Sequence, residues 1–339
     1  MNQKLIVSTA PHVRTSRSTK QIMLDVLIAL IPATVMGIVL FGWEAALIIG
    51  LAVVSAALTE FVYYVIQHKI WKNPKEVVLS FFKQFDFTSL ITGLLLALVI
   101  PASAEHWYMP VLGSIFAIAV VKMLFGGTGK NIINPALGGR IFLFISFTAM
   151  TVYPATTDLL GRFGSVSVSE LNTGATALQS FLQGGETLSA IDLLIGSTVA
   201  GCIGETCKIA LIVGGIYLCI RGVIKWYLPL IYILTTGLFA VVLEGFDFNA
   251  FLPSILGGGL ILGAIFMATD YTTTPKSKLG NIIYFFLLGL LTAGLRKATG
   301  IEVVSFCIVL MNFLVFLIDA LIKCRPFGYK KEKKQKEAK

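Results

Sequence analysis

Charge is what this sequence has least of. Only 13% of its 339 residues are Asp, Glu, Lys or Arg, about half the share of an average soluble domain. The three histidines, His12, His68 and His106, are scattered over different loops, and no HExxH, EF-hand or nucleophile-elbow pattern occurs. Hydrolytic and metal chemistry are left without the residues that carry them. Cys202, Cys207, Cys219, Cys307 and Cys324 lie in or beside apolar segments with no CxxC spacing, which marks them as packing positions. No polar domain is present that would bind a nicotinamide nucleotide or an iron–sulfur cluster unaided. Residues 1–20 are polar and basic rather than a cleavable leader.

What the chain has is apolar length. Hydrophobic residues make up 56% of it and its mean hydropathy is +0.85, so an all-α polytopic membrane protein is expected. A crossing takes about 20 apolar residues. Ten candidates lie near 22–41, 44–66, 87–101, 107–125, 139–153, 190–220, 226–243, 252–268, 281–295 and 301–322. The organisation expected is a polar segment 1–21, a first bundle 22–153, an outer loop 154–189, a second bundle 190–322 and a basic tail 323–339. Every second loop carries Lys or Arg: Arg14, Arg17 and Lys20, then Lys69 to Lys83, Lys130 and Arg140, Arg221 and Lys225, Lys276 and Lys278, and the tail. That alternation puts both termini in the cytoplasm and 154–189 outside, with Arg296 and Lys297 as the one exception. The tail reads as a juxtamembrane anchor beside lipid headgroups rather than a nucleic-acid arm.

Several crossings look broken. Segments 87–101 and 139–153 are short, and 190–220 is too long for one straight helix and is interrupted by Gly196, Gly201 and Gly204-Glu205-Thr206. Such interruptions mark discontinuous helices, whose free backbone ends bind substrates and ions. A faint repeat runs with them. Thr92-Gly93 leads to Pro110 and the hinge Gly126-Gly127-Thr128-Gly129-Lys130; Thr236-Gly237 leads to Pro253 and Ala268-Thr269-Asp270. The loop count makes these copies parallel.

The hinges hold the polar constellations. Asn131 and Asn134 are three apart, so a helical turn sets both amides on one face, where they could read a planar heterocycle such as a flavin. Capping of broken-helix ends explains the spacing equally well. Asp270, with Thr269 and Thr272, offers the matching hinge. Lys122 lies inside a span, and Glu60, Asp192, Glu205 and Lys208 lie nearer span ends; ionisable groups at such depth are costly and are paired or functional. In the outer loop, Thr173-Gly174-Ala175-Thr176 presents small residues around an accessible hydroxyl.

Ordered stretches then resemble the NqrB/RnfD family. They are Ala10-Pro11-His12-Val13-Arg14 before Ile22 to Pro32, the Gly126–Leu137 hinge, Gly204-Glu205-Thr206, Phe266-Met267-Ala268-Thr269-Asp270, Met311-Asn312 with Asp319, and Arg325-Pro326-Phe327-Gly328. The resemblance implies a subunit of an Rnf complex, a bacterial cytoplasmic-membrane ferredoxin:NAD+ oxidoreductase that exports Na+ or H+. It implies FMN joined by a phosphoester to Thr176, placed by a flavin transferase, with Thr173 standing for the usual serine and Glu170 for the usual aspartate. It also implies a second, noncovalent flavin, riboflavin or another, at Asn131, Asn134 and Asp270. The fold implied is a pair of inverted bundles similar to urea and ammonium transporters. The rival reading is a channel or secondary transporter of a small solute with no redox cofactor.

Overall fold

The computed structural model describes residues 17–68, 74–102, 106–154, 177–182, 189–196 and 199–322, and among these it is helical with no strand. Helix α1 (Thr19–Phe41) begins in a capping box, Ser18 accepting from the Gln21 N–H and Gln21 Oε1 accepting from the Ser18 N–H, and stops at Gly42. Helix α2 (Trp43–His68) follows at once. Then α3 (Pro74–Gln84) turns by 73° into α4 (Thr88–Leu98). Helix α5 (Tyr108–Ile115) widens into a π-helix over Phe116–Met123, and α6 (Pro135–Ser146) ends in a short turn at Thr148–Thr151. Two short helices, α7 (Ala177–Leu182) and α8 (Ala190–Ile195), precede α9 (Lys208–Ile220) and α10 (Tyr227–Leu243). Helix α11 (Phe251–Leu256) bends by 65° into α12 (Leu260–Leu262), which runs on as a π-helix over Gly263–Met267. Helices α13 (Lys278–Thr299) and α14 (Val304–Leu321) complete the order.

Among the described residues four helices, α1, α2, α13 and α14, are long and apolar enough to cross a membrane, and up to six spans result if each bent pair counts as one. Their outward faces are apolar. On α1 the exposed stripe is Leu24, Ile28, Ile31 and Val35, and on α2 it is Val54, Leu58, Val62 and Ile66. Positions three and four apart share one helix face, and here that face looks outward, as lipid demands. The expected segment 190–220 is three pieces, and the expected 139–153 is a helix displaced toward its N-terminus because Asn134-Pro135 starts it early.

The stretches 22–153 and 190–322 share one core. Helix α1 packs on α9, α14 on α6, α2 on α4 and α5, and α10 on α11 and α13. Between them two extended strips cross: Pro101 bridges Cys202 in antiparallel sense, Ile203 N–H donates to Ile100 O at 3.2 Å, and Gly204 N–H to Leu98 O at 2.7 Å. Gly204 is required there, because a Cβ would stand 2.5 Å from Leu98 Cβ. The broken ends of two helices thus satisfy each other's backbone without water.

Basic residues gather at one end of the bundle. Arg17 donates to Arg221 O, Lys20 Nζ to Lys83 O at 2.7 Å, and the Lys276 N–H to Asp319 at 3.0 Å. Both hinges lie at this end, since Tyr271 donates to Val223 O just ahead of α10. The exceptional cations sit at the far end of α13 and are neutralised: Arg296 pairs with Glu302 at 2.8 Å and Lys297 with Glu244 at 2.6 Å.

Candidate functional site

Each π-helix ends at a hinge. Residues 124–134 follow the first and 268–277 the second, and a cavity of about 120 Å3 opens between them. A π turn adds a residue to the helical repeat and is common where a site must be shaped. Apolar walls come from Val26, Ile91, Leu95, Leu218, Ile265 and Phe266, and the polar rim from Thr88, Lys122, Asn131, Asn134, Asp270 and Thr272. The three hinge residues read from sequence therefore border one space.

Their roles separate on inspection. Asn134 is the N-cap of α6: its Oδ1 accepts from Ala136 N–H at 3.0 Å and Leu137 N–H at 3.4 Å, while its Nδ2 donates to Met267 O at 3.3 Å. That amide is used up tying the two hinges together, which is the capping alternative. Asn131 Nδ2 donates to Ile133 O at 3.1 Å and to Thr272 Oγ1 at 2.9 Å. Thr272 Oγ1 in turn donates to Asp270 Oδ2 at 2.9 Å. Burial pushes the Asp270 carboxyl up from the ordinary range, against the lowering effect of its Thr272 and Asn131 contacts. Behind the hinge, Asn312 of α14 meets Tyr284 Oη at 2.8 Å; with its amide nitrogen turned to Thr273 O and Ile308 O, its oxygen accepts the Asn134 N–H at 3.2 Å.

Lys122 forms the cavity's opposite rim. Its ammonium donates to Glu60 Oε1 at 2.7 Å and to Thr88 Oγ1. Thr88 Oγ1 passes a hydrogen bond to Asp86 Oδ1 at 2.6 Å, and Thr128 Oγ1 one to Asp86 Oδ2 at 2.7 Å. An apolar slot with a rim of amide, carboxylate and ammonium suits a planar heterocycle that has one hydrocarbon edge and one hydrogen-bonding edge. Asp86, Thr88 and Thr128 were not read as site residues from the sequence. The signal available was Asp86-Phe87-Thr88 at a helix start, which looks like routine capping.

A second polar cluster lies at the crossing strips. Glu205 Oε1 accepts from Cys202 N–H at 2.9 Å, Lys208 donates to Glu205 O, and Arg140 reaches Cys202 Sγ at 4.0 Å. Arg296 donates to Ser254 O at 2.7 Å and bidentately to Glu302 at 2.8 and 3.0 Å. Gly257–Gly259, the break between α11 and α12, closes on this cluster: a Cβ at Gly259 would lie 2.8 Å from Glu205 Oε2, and one at Gly258 would overlap Glu302 Oε2. Arg140, counted in the sequence among the basic loop residues, is instead buried within α6, and Glu302 had no mark in the sequence beyond its charge.

Thr173, Gly174, Ala175 and Thr176 lie outside the described residues. Helix α7 begins at the next residue. Its Leu178 is buried, and a Cβ at Gly257 of the α11–α12 break would stand 3.1 Å from it. Leu178 and Phe181 share a small cavity with Arg296 and Lys297, at the end of α13 away from the hinges.

With that geometry in place, the similarities of the chain are specific. The D component of the Na+-translocating ferredoxin:NAD+ oxidoreductase complex of Acetobacterium woodii is 40% identical, over the whole of both chains. The D component of the proton-translocating ferredoxin:NAD+ oxidoreductase complex of Clostridium ljungdahlii is 34% identical over 95% of this chain and 96% of its own. The D component of an ion-translocating oxidoreductase complex of Stutzerimonas stutzeri is 34% identical over 92% of each. The NQR2, RnfD, RnfE family matches residues 6–328, and this chain belongs to it.

Proposed function

We propose that the chain is the electron-carrying membrane subunit of an Rnf-type complex, in which electron transfer between ferredoxin and NAD+ drives Na+ or H+ across the cell membrane. The carrying observation is the full-length 40% identity to a component so named in Acetobacterium woodii. The other members of the complex are its partners, and ferredoxin and NAD+ are met through them.

Thr176 is the residue we assign to FMN, bound through its phosphate after transfer by a flavin transferase. A tethered isoalloxazine supplies the one- and two-electron chemistry, and the protein supplies its position. Support comes from the Thr173-Gly174-Ala175-Thr176 motif and from α7, which docks the following residues at the end opposite the hinges. At the hinge cavity we place a noncovalent flavin. Asn131, Asp270 and Lys122 would face its polar edge, and Asn134 would hold the hinges at the spacing the ring needs.

The basic end of the bundle is then the cytoplasmic one, with both termini there. We propose ten crossings, a reading supported by four long helices, two bent pairs and four shorter apolar helices among the described residues. The inverted relation between two halves that the family resemblance implies is part of this proposal. The motif-matched π-helices, by contrast, run in the same sense toward the hinges.

The test is coexpression with a flavin transferase. A fluorescent band on a denaturing gel is expected for the wild type and none for Thr176→Ala. A band of equal strength in that variant removes the assignment, and no band in either favours a cofactor-free transporter.

A further inference from the structure

Helix α3 has two unlike faces, and the flavin reading uses neither. Inward it sends Phe81, 5.1 Å from the Phe61 ring and 5.5 Å from the Tyr64 ring of α2, while Tyr64 Oη donates to Ser80 Oγ at 3.1 Å. The outward face is apolar and open: Val78, Leu79 and Phe82 are 41%, 60% and 66% exposed. Phe82 is four residues from Val78 and three from Leu79, so the three side chains share one side of the helix.

Orientation and charge together say what covers that face. Helix α4 lies along α2, a crossing helix, and α3 meets α4 at 73°. Helix α3 therefore runs close to the membrane plane, at the basic end of the bundle. Along the turns of α2 that hold Phe81, Val62 and Ile66 look outward. Lys83 is exposed, next to Phe82 and one turn from Leu79. Lys20 of α1 brings its Nζ to Lys83 O at 2.7 Å. Neither ammonium takes part in an ion pair among the described residues. A short apolar face edged by cations and lying in the membrane plane fits the boundary between acyl chains and anionic headgroups.

We propose that α3 and the start of α1 form a binding site for one anionic phospholipid of the leaflet at the basic end. Its phosphate sits between Lys20 and Lys83, and its acyl chains lie over Leu79, Phe82 and Ile66. Just past α3, Asp86 and Thr88 flank Phe87, which is held at a φ of 65°, where a side chain is strained and its surroundings must keep it in place. A lipid seated on α3 braces the segment that carries Thr88 to Lys122. The site rests on neither flavin assignment, so its failure and theirs are separate results.

The experiment uses the intact purified complex in nanodiscs, with bimane attached through Leu79→Cys and the unsubstituted complex as background. The probes are phosphatidylglycerol and phosphatidylcholine, each with a doxyl group on one acyl chain and diluted into unlabelled phosphatidylcholine. Phosphatidylglycerol is expected to quench the bimane at the lower mole fraction. Lys20→Gln and Lys83→Gln should each cut that preference about fivefold, the worth of one lysine at an anionic surface, while Lys83→Arg keeps it. Equal quenching by the two probes means α3 lies in lipid without a headgroup site and overturns the proposal. No quenching by either means that a protein partner or water covers the face, which overturns it as well. If the Leu79→Cys complex does not assemble, bimane attached through Val78→Cys gives the same readings.

Discussion

The hinge cavity and the crossing cluster are built from the same material. Each sits at broken helix ends, each is rich in glycine, and each buries charged side chains contributed by both halves of the chain. They differ in what the charges face. At the crossing, Arg296 is closed by Glu302, Ser254 O and Gly257 O, and Glu205 is packed against the glycine break with one oxygen on the Cys202 N–H and the other buried without a hydrogen-bond partner. At the hinges, Asn131 and Asp270 border open space, as does Lys122, whose ammonium is also paired with Glu60 at 2.7 Å. Polar groups enclosed by packing join helices; polar groups that also border a void are placed to meet a ligand. The first arrangement is a fastening and the second a site.

The largest expected effect tests the fastening. Glu302→Ala strands the Arg296 guanidinium in the bundle, and losing one partner of a buried pair costs about 3–5 kcal/mol. Thermal unfolding of the detergent-purified protein should show it, and an unchanged midpoint would make the crossing cluster no different from surface charge. Gly204→Val tests the same region through shape. Its side chain meets Leu98, and overpacking of this kind costs about 1–3 kcal/mol; a neutral result in the same assay would mean the strips separate freely.

At the hinges the expected effect is on binding before stability. Asn131→Ala and Asp270→Ala each remove a rim group worth about 1–3 kcal/mol, so noncovalent flavin released by acid from the purified complex should fall while the covalent band at Thr176 persists. Unchanged content in both variants would turn the hinges into a second fastening and end the contrast. Asn134→Ala should behave differently from its neighbours: as the loss of a helix cap it costs about 0.5–2 kcal/mol of stability, with flavin loss following from the loosened hinge. The smallest effect sharpens the scale. Lys297 is adjacent in sequence to Arg296, but its side chain is 48% exposed in its pair with Glu244, so Lys297→Ala should cost at most about 1 kcal/mol. A Lys297 loss as large as that of Glu302 would show that burial does not set the difference.

Much of the hinge could be read in the chain. Asn131, Asn134 and Asp270 stand out because polar groups are rare in a sequence this apolar, and the structure does bring them to one cavity. The spacing of the two asparagines left open whether they cap or read a ligand, and the fold divides the roles: Asn134 caps, and Asn131 faces Thr272. Asp86 and Thr88 stayed hidden, since a hydroxyl and a carboxylate near a helix start look like capping, and Thr128 was seen only as part of the glycine-rich hinge. The pairing of Lys122 with Glu60 was equally invisible, because 62 residues separate them. The positive-charge alternation set Arg296 and Lys297 apart, and the structure supplies both with carboxylates, whereas Arg140, counted with the loops, is buried in α6.

The sequence by itself determined that the chain is helical, embedded in lipid and interrupted at named glycines and hinges. Those properties follow from local composition and from the rule that backbone groups in an apolar solvent must pair nearby. It also carried the Thr176 motif, which depends on a few consecutive residues. Only the tertiary structure decided which interruptions became a closed ion-pair cluster and which became cavities. That outcome rests on contacts between residues far apart in the chain, Lys122 with Glu60, Asn134 with Met267 O, Gly204 with Leu98 O. Whether a buried charge meets a partner or an empty space is set by how two helices cross, and no local pattern records a crossing.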